Sequence, residues 1–210
     1  MEPSKANERG FFESTAIRDL NEELLAATGS TWDDFTRFNE EWLRSAEADE
    51  FLDRGVAVLL SEFGTAKLFV LKDPRICRLV PFWTAALERF GCAVKPVLTI
   101  RNPIEVGYSL FTKKKFSEPL GQMIWLRHVL DAERATRGAT RFHTSFEQLM
   151  RSWESVAQGT QQSLDLVWPK QVGNVEFEVA KFLSHDLRHF KEAPDRVLTS
   201  GLLPDWLRET

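Results

Sequence analysis

Short apolar segments alternate along this chain with longer segments of helical periodicity. AKLFVL begins at residue 66 and VKPVLTI at residue 94, and both are almost wholly apolar. Apolar runs of this length predict strands that are covered on both faces. TRFHTSF, from residue 140, is a third strand or the end of one. Strands that alternate with helices predict an α/β domain with a central parallel sheet flanked by helices.

The segments between these strands predict helices. Ser14 and Thr15 offer a cap for a first helix, which ends near Gly29 and whose buried stripe is Ile17, Leu20, Leu24 and Leu25. The later helical segments are 33–64 (as two helices), 75–91, 103–116, 119–138, 146–168 and 174–190. In the segment 119–138 the predicted core side is formed by Leu120, Ile124, Leu126, Leu130 and Ala135. The tail from residue 200 is a docked apolar strap or a frayed end.

The size of the chain and its composition predict one globular domain over residues 1–210. No apolar run is long enough to cross a bilayer, and the polar start MEPSKANERGFFES is unlike a secretory signal. Cys77 and Cys92 are too few for a disulfide framework, which favours two core thiols over one bridge and predicts a cytoplasmic setting. The oligomeric state stays open.

Charge is distributed unevenly along the chain. Residues 64–151 hold 15 Lys or Arg and 7 Asp or Glu, whereas residues 1–63 hold 6 and 15. A basic middle segment within a chain of net charge -4 is typical of a protein that binds a small anionic ligand. The alternative is a solvated surface on which charge is unevenly distributed. A nucleic-acid partner is disfavoured because the total is acidic and no basic helix or aromatic platform motif is present.

Basic residues follow both apolar strands at the point where each strand ends. LKDPR places Lys72 and Arg75 after the first strand, and IRNP places Arg101 after the second. Ligands of parallel sheets bind at the carboxyl ends of the strands. Asn102 and Pro103 are suited to starting a helix, and a guanidinium beside a helix N-terminus favours a phosphate or sulfate. Each motif is also compatible with an ordinary surface turn.

The segments ERGFFES, LFVLKDPRICRLVPFW, VLTIRNPIEVGYSL and WLRHVLDAERATRG together resemble bacterial sulfotransferases that use 3′-phosphoadenosine 5′-phosphosulfate. The resemblance runs in order through residues 8–190. It implies a P-loop-like three-layer domain, and it implies that Arg101 and Ser109 hold the 3′-phosphate of the donor. Arg188, in the segment FLSHDLRHF, is a further candidate for the cofactor pocket, with His189 beside it.

The resemblance also implies the catalytic residues. Lys72 is expected to neutralise the leaving group, and Glu13 is expected to be the base that activates the acceptor; a plain structural role at a helix start is the alternative for Glu13. His128 and His143 are alternative bases, although structural roles are favoured for both. No cluster of His and Cys has the spacing of metal ligands, and the reaction requires no metal.

One part of the family pattern is missing from this sequence. The first strand and the Gly-rich loop G-x-x-R-S-G-T-S, whose backbone N–H groups bind the 5′-phosphosulfate, have no counterpart. ATGSTWDD follows a helix and is rejected as a phosphate loop. We expect a start assigned at an internal methionine or a truncated copy, ahead of a short form that a partner completes, and we expect the chain as given to be inactive or weakly active.

The leading hypothesis is therefore a sulfotransferase, active in its complete form on a hydroxyl or amine of a small-molecule, carbohydrate or lipid acceptor. The alternative is a non-catalytic relative that acts as a binding or scaffold module. A P-loop kinase is disfavoured because G-x-x-x-x-G-K-[ST] is absent.

Overall fold

A computed structural model describes residues 12–169 and 174–183. A 3-10 helix, Glu40–Arg44, lies between the first two α-helices. The elements of the described ranges are α1 (Thr15–Ala27), α2 (Ala46–Phe63), α3 (Ile76–Arg89), β1 (Val97–Ile100), α4 (Pro103–Lys114), α5 (Glu118–Thr136), β2 (Phe142–Ser145), α6 (Phe146–Arg151), α7 (Trp153–Leu164) and α8 (Val175–Phe182).

The prediction of an α/β fold is confirmed in its coarse form. β1 and β2 form a parallel sheet of two strands, in a register that pairs Val97 with Phe142 and Ile100 with Ser145. The described residues form two compact units. The first combines residues 12–96 with 127–141, and the second combines 97–126 with 142–169 and 174–183. One domain over residues 1–210 stays a prediction, as does the P-loop-like arrangement.

The core of the first unit confirms the predicted face of α1. Ile17, Leu20, Leu24 and Leu25 are all buried there, against Phe82 and Trp83 of α3 among others. Ser14 caps α1, because its Oγ accepts a hydrogen bond from the Ile17 amide at 3.2 Å. The spacing of apolar residues at three and four positions therefore identified the buried side of this helix correctly.

The predicted strand at 66–71 is wrong. This segment forms no strand, and from residue 68 its side chains alternate between solvent and the core. Phe69 and Leu71 pack on the core, and Phe69 stacks on Phe63 with 4.1 Å between ring centroids. Leu68 and Val70 are 37% and 79% exposed. A strand needs a hydrogen-bonded neighbour, and no other described segment pairs with this one.

Several predicted helices are interrupted in the structure. The segment 33–64 begins irregularly and forms the 3-10 helix and α2, which ends at Gly64 as predicted. α3 is kinked at Leu79, and Pro81 lies within the helix just after the kink. The kink is explained by the proline, because proline cannot donate a backbone hydrogen bond to the preceding turn. The segment 146–168 divides at Ser152 into α6 and α7. The final helix is confirmed over Val175–Phe182, and the rest of its predicted range and the tail lie outside the described residues.

The predicted core side of α5 is partly wrong. Ile124 is buried as expected, but Leu130 is 40% exposed and Ala135 is also exposed. The polar side chains of Gln122 and Asp131 are buried in their place. Apolar periodicity cannot identify a helix face that is buried through charges and amides.

Two glycines bring α4 close to the first turns of α5 within the second unit. A Cβ atom built on Gly121 would lie 2.9 Å from the Cα atom of Gly107 and 3.2 Å from its carbonyl oxygen. Side chains at either position would push the helices apart, because such close backbone contact leaves no room for a methyl group. This contact fixes which face of α4 is turned away from α5.

Candidate functional site

Arg101 stands at the carboxyl end of the sheet in the second unit. It directly follows β1, whose last residue, Ile100, is paired with Ser145 at the end of β2. The two residues that come next, Arg101 and Phe146, are in contact, with the guanidinium carbon 4.8 Å from the ring centroid. The parallel register therefore places the arginine beside the start of α6, in a cation–π contact.

The helix that follows Arg101 begins as the sequence predicted. The Asn102 side chain accepts a hydrogen bond from the Ile104 amide at 2.9 Å, and Pro103 is the first residue of α4. Glu105 is fully buried, and its Oε2 atom accepts a hydrogen bond from Nε of Arg101 at 3.1 Å. This ion pair holds the guanidinium against the first turn of α4, where backbone N–H groups favour an anion.

Ser109 lies on the same helix, four residues after Glu105, and is partly exposed. Side chains four residues apart lie on the same face of a helix, so Ser109 continues the face on which Arg101 contacts Glu105. The two predicted ligands of the 3′-phosphate thus belong to one unit, with Arg101 just before α4 and Ser109 within it.

The two predicted catalytic residues, Glu13 and Lys72, form an ion pair in the first unit. Nζ of Lys72 donates a hydrogen bond to Oε1 of Glu13, across 59 positions of sequence. The glutamate side chain is 6% exposed, and the lysine side chain is 53% exposed. Glu13 directly precedes the cap of α1, and Lys72 follows the irregular segment 66–71. A buried carboxylate and an accessible ammonium thus meet at the surface of this unit.

The turn that follows Lys72 is fixed by Asp73. The buried Asp73 carboxylate accepts hydrogen bonds from the Arg75 amide at 2.9 Å and from the Asn21 side chain at 3.1 Å. Nε of Arg75 donates to Glu22 at 2.6 Å. Burial works against the charge of Arg75, but the carboxylates of Asp73 and Glu22 outweigh it and raise the pKa of Arg75. These contacts hold the KDPR turn on α1.

Cys77 and Cys92 are both free thiols. Burial is the main cause that raises the pKa of Cys77 to about 11, and the nearby carboxylates of Asp73 and Asp131 add to it. A thiol of this kind is almost wholly protonated near pH 7 and is a poor nucleophile. Cys77 therefore has no place in the candidate chemistry.

A buried charge cluster in the first unit is a feature that sequence reasoning missed. Arg78 is 1% exposed, and its guanidinium donates to the carbonyl oxygens of Thr31 and Thr36, both at 2.7 Å. Its Nε atom lies 3.6 Å from Asp131, which also pairs with Arg127 at 2.9 Å. Burial raises the pKa of Asp131, although the charges of the two arginines act in the opposite direction. The cluster connects the loop after α1 to α3 and α5, so its role is to stabilise the fold of this unit.

Of the alternative candidates, two lie within regular elements and two lie outside the described ranges. His143 is an exposed residue within β2, aligned with Leu98, and His128 is partly buried in α5. Arg188 and His189 lie outside the described residues. An open cavity of about 440 Å³ at the 3-10 helix contains neither Glu13 nor Lys72; it is lined by Arg37, Phe38, Asn39, Glu40, Glu41 and Arg44.

Within residues 12–169 and 174–183, no group of three or more His, Cys, Asp or Glu is arranged to hold a metal. None of the helices in these ranges is long and apolar enough to cross a membrane. No family model, curated protein or solved structure matches the chain. What the residues offer chemically is a guanidinium beside a helix N-terminus at Arg101 and a carboxylate–ammonium pair at Glu13 and Lys72, each within its own unit.

Proposed function

We propose that this protein is a sulfotransferase that takes a sulfuryl group from 3′-phosphoadenosine 5′-phosphosulfate in the cytoplasm. The acceptor is a hydroxyl or amine of a small molecule, carbohydrate or lipid. The observation that carries the proposal is the position of Arg101, at the carboxyl end of a parallel strand and beside the capped N-terminus of α4. Parallel α/β sheets bind nucleotides at this edge.

The surroundings of Arg101 suit a phosphate group. Nε is engaged by Glu105, whereas neither terminal NH2 group donates a hydrogen bond to a described residue. A guanidinium presents its donors as a planar fork that matches two oxygens of a phosphate. Ser109 adds a hydroxyl on the same helix face. We assign these two residues to the 3′-phosphate of the donor.

The ion pair of Glu13 and Lys72 suits the transfer step. The acceptor oxygen or nitrogen forms a bond to sulfur, the bond from sulfur to the bridging oxygen breaks, and adenosine 3′,5′-bisphosphate leaves. Glu13 takes the acceptor proton, and Lys72 neutralises the charge on the leaving oxygen. In-line transfer places these two events on opposite sides of sulfur, so the ion pair has to separate when the donor binds.

The chain lacks the Gly-rich loop that would bind the 5′-phosphosulfate. We therefore expect this sequence by itself to bind the 3′-phosphate end of the nucleotide and to transfer the sulfuryl group weakly or not at all. No metal takes part in the proposed reaction.

Binding of adenosine 3′,5′-bisphosphate, compared with adenosine 5′-monophosphate by calorimetry, tests the assignment. We expect the unaltered chain to prefer the bisphosphate and Arg101→Ala to lose this preference. The loss of a charge-assisted contact predicts a weakening of about 10- to 100-fold. Arg151→Ala is the matched control, because Arg151 is an exposed arginine of the same unit.

Arg101→Ala also leaves the buried Glu105 without its arginine, which endangers folding. Arg101→Lys keeps the positive charge and loses the planar fork, so it is expected to fold and still to weaken bisphosphate binding. Equal affinity of the folded Arg101→Lys and Ser109→Ala variants and the unaltered chain would contradict the assignment.

A non-catalytic binding module is the second candidate, and the absent Gly-rich loop favours it. The two candidates differ in turnover. A version of the chain extended by a strand and a Gly-rich loop that binds adenosine 3′,5′-bisphosphate but still transfers no ³⁵S-labelled sulfuryl group to any acceptor, even with protein in excess, supports the binding module.

A further inference from the structure

The face of α4 that carries Ser109 continues to a lysine. Glu105, Ser109 and Lys113 follow one another at intervals of four residues within α4. Gly107, which contacts Gly121 of α5, lies two residues from Glu105 and so is turned about 200° away from it around the helix. The packing of α4 on α5 therefore leaves the face of Ser109 and Lys113 on the other side of the helix.

Lys113 and Arg101 approach this face from opposite ends. The guanidinium of Arg101 is held over the first turn by Glu105 and by the ring of Phe146. Long side chains on a helix lean toward its N-terminus, so the ammonium of Lys113 reaches back over Ser109 toward Arg101. The hydroxyl of Ser109 lies on the helix face between the two cationic groups.

The electrostatics agree with this proximity. Although Lys113 is exposed overall, partial burial and then the charge of Arg101 lower the pKa of its ammonium. No described carboxylate forms an ion pair with Lys113, and the carboxylate of Glu105 is engaged by Arg101. Two neighbouring cations repel each other, and an anion with two negative charges between them would reverse that cost.

We propose that Lys113 is a third ligand of the anion site formed by Arg101 and Ser109, and that the site is built for the dianion of a phosphate monoester. This inference rests on the proposed function, because the phosphate is assigned as the 3′-phosphate of the nucleotide. It adds a residue and a ligand class. A phosphate monoester has three terminal oxygens for Arg101, Ser109 and Lys113, whereas a phosphate diester has only two.

Lys113→Gln tests the proposal, with Lys114→Gln as the matched control on the adjacent position of the same helix. Calorimetry measures the affinities for adenosine 3′,5′-bisphosphate and for adenosine 3′,5′-cyclic monophosphate, whose phosphate is a diester. We expect Lys113→Gln to weaken bisphosphate binding about tenfold and to leave binding of the cyclic diester unchanged. Lys114→Gln is expected to keep the preference of the unaltered chain.

The outcomes separate the two assignments. If the unaltered chain shows no preference for the bisphosphate, both the proposed 3′-phosphate site and the role of Lys113 are overturned. If the preference exists and Lys113→Gln retains all of it, only the role of Lys113 is overturned. A second measurement does not depend on the nucleotide: lysine side-chain NMR should show that inorganic phosphate raises the pKa of Lys113, and no rise would equally overturn its role.

Discussion

A methyl group added at Gly121 tests the contact that positions α4. In Gly121→Ala the new Cβ atom would lie 2.9 Å from the Cα atom of Gly107, 3.2 Å from its carbonyl oxygen and 3.4 Å from Cβ of Leu110. The first two atoms belong to the backbone of α4, so no side-chain rotation relieves the contact. The two helices have to move apart, and α4 carries Ser109 and follows Arg101 directly.

The expected cost follows from two opposing effects. Forcing one extra methyl group into a packed interface costs about 1–3 kcal/mol. The new Cβ atom would lie 2.9 Å from a backbone atom, so the upper part of that range, about 2–3 kcal/mol, applies. Replacing glycine by alanine inside a helix returns about 1 kcal/mol through backbone entropy. The net destabilisation is therefore about 1–2 kcal/mol, and each kcal/mol lowers the melting temperature by about 2–4 °C for a chain of this size.

Urea unfolding followed by circular dichroism measures this difference. Gly138→Ala is the control, because a Cβ atom at Gly138 would meet nothing within 4 Å. We expect the control to stay within about 0.5 kcal/mol of the unaltered chain. If Gly121→Ala is as stable as the control, α4 and α5 do not pack through their glycines, and the orientation of the Ser109 face derived from that contact is refuted.

Two further predictions concern the first unit. In a Cys92→Ser background, alkylation of Cys77 at pH 8 should be about a hundredfold slower in the folded chain than in urea, because a pKa of about 11 leaves little thiolate. The alkylation rate of the folded chain should rise about tenfold per pH unit up to that pKa. Rapid modification at pH 8 would contradict the burial of this thiol. In a version of the chain extended by a strand and a Gly-rich loop, Glu13→Gln should lower the single-turnover rate of ³⁵S transfer about a hundredfold and keep binding of adenosine 3′,5′-bisphosphate. An unchanged rate would exclude Glu13 as the base.

Local signals in the sequence were sufficient for much of the fold. The cap at Ser14, the stripe of α1 and the start of α4 at Asn102 depend on neighbours within a few positions, and all three are confirmed. The prediction of a strand at 66–71 was wrong because a strand depends on a partner that is distant in the sequence, and local composition does not reveal that partner. The prediction of the buried face of α5 was partly wrong because the buried charge of Asp131 is neutralised by arginines, which apolar periodicity does not reveal.

The candidate site shows the same division. The position of Arg101 was predictable, since strand, turn and helix cap are contiguous in the sequence. The contact of Glu13 with Lys72 was not, because no periodicity connects residues that are 59 positions apart. Lys113 had a usable signal, its spacing of four residues from Ser109, but a run of three lysines at the end of a helix is equally typical of a solvated terminus.

The small sheet bears directly on how the two halves of a donor site would be completed. β1 and β2 pair only with each other among the described residues, and Val97 and Ile100 are 42% and 37% exposed. Parallel strands are normally covered on both faces, and two strands alone are marginal in water. A further strand would pair along an edge that no described residue occupies, and the loop after it would lie at the carboxyl end where Arg101 stands. A strand that carries the 5′-phosphosulfate loop would therefore complete the sheet and the nucleotide site together, which is why we connect the open sheet with the missing half of the proposed site.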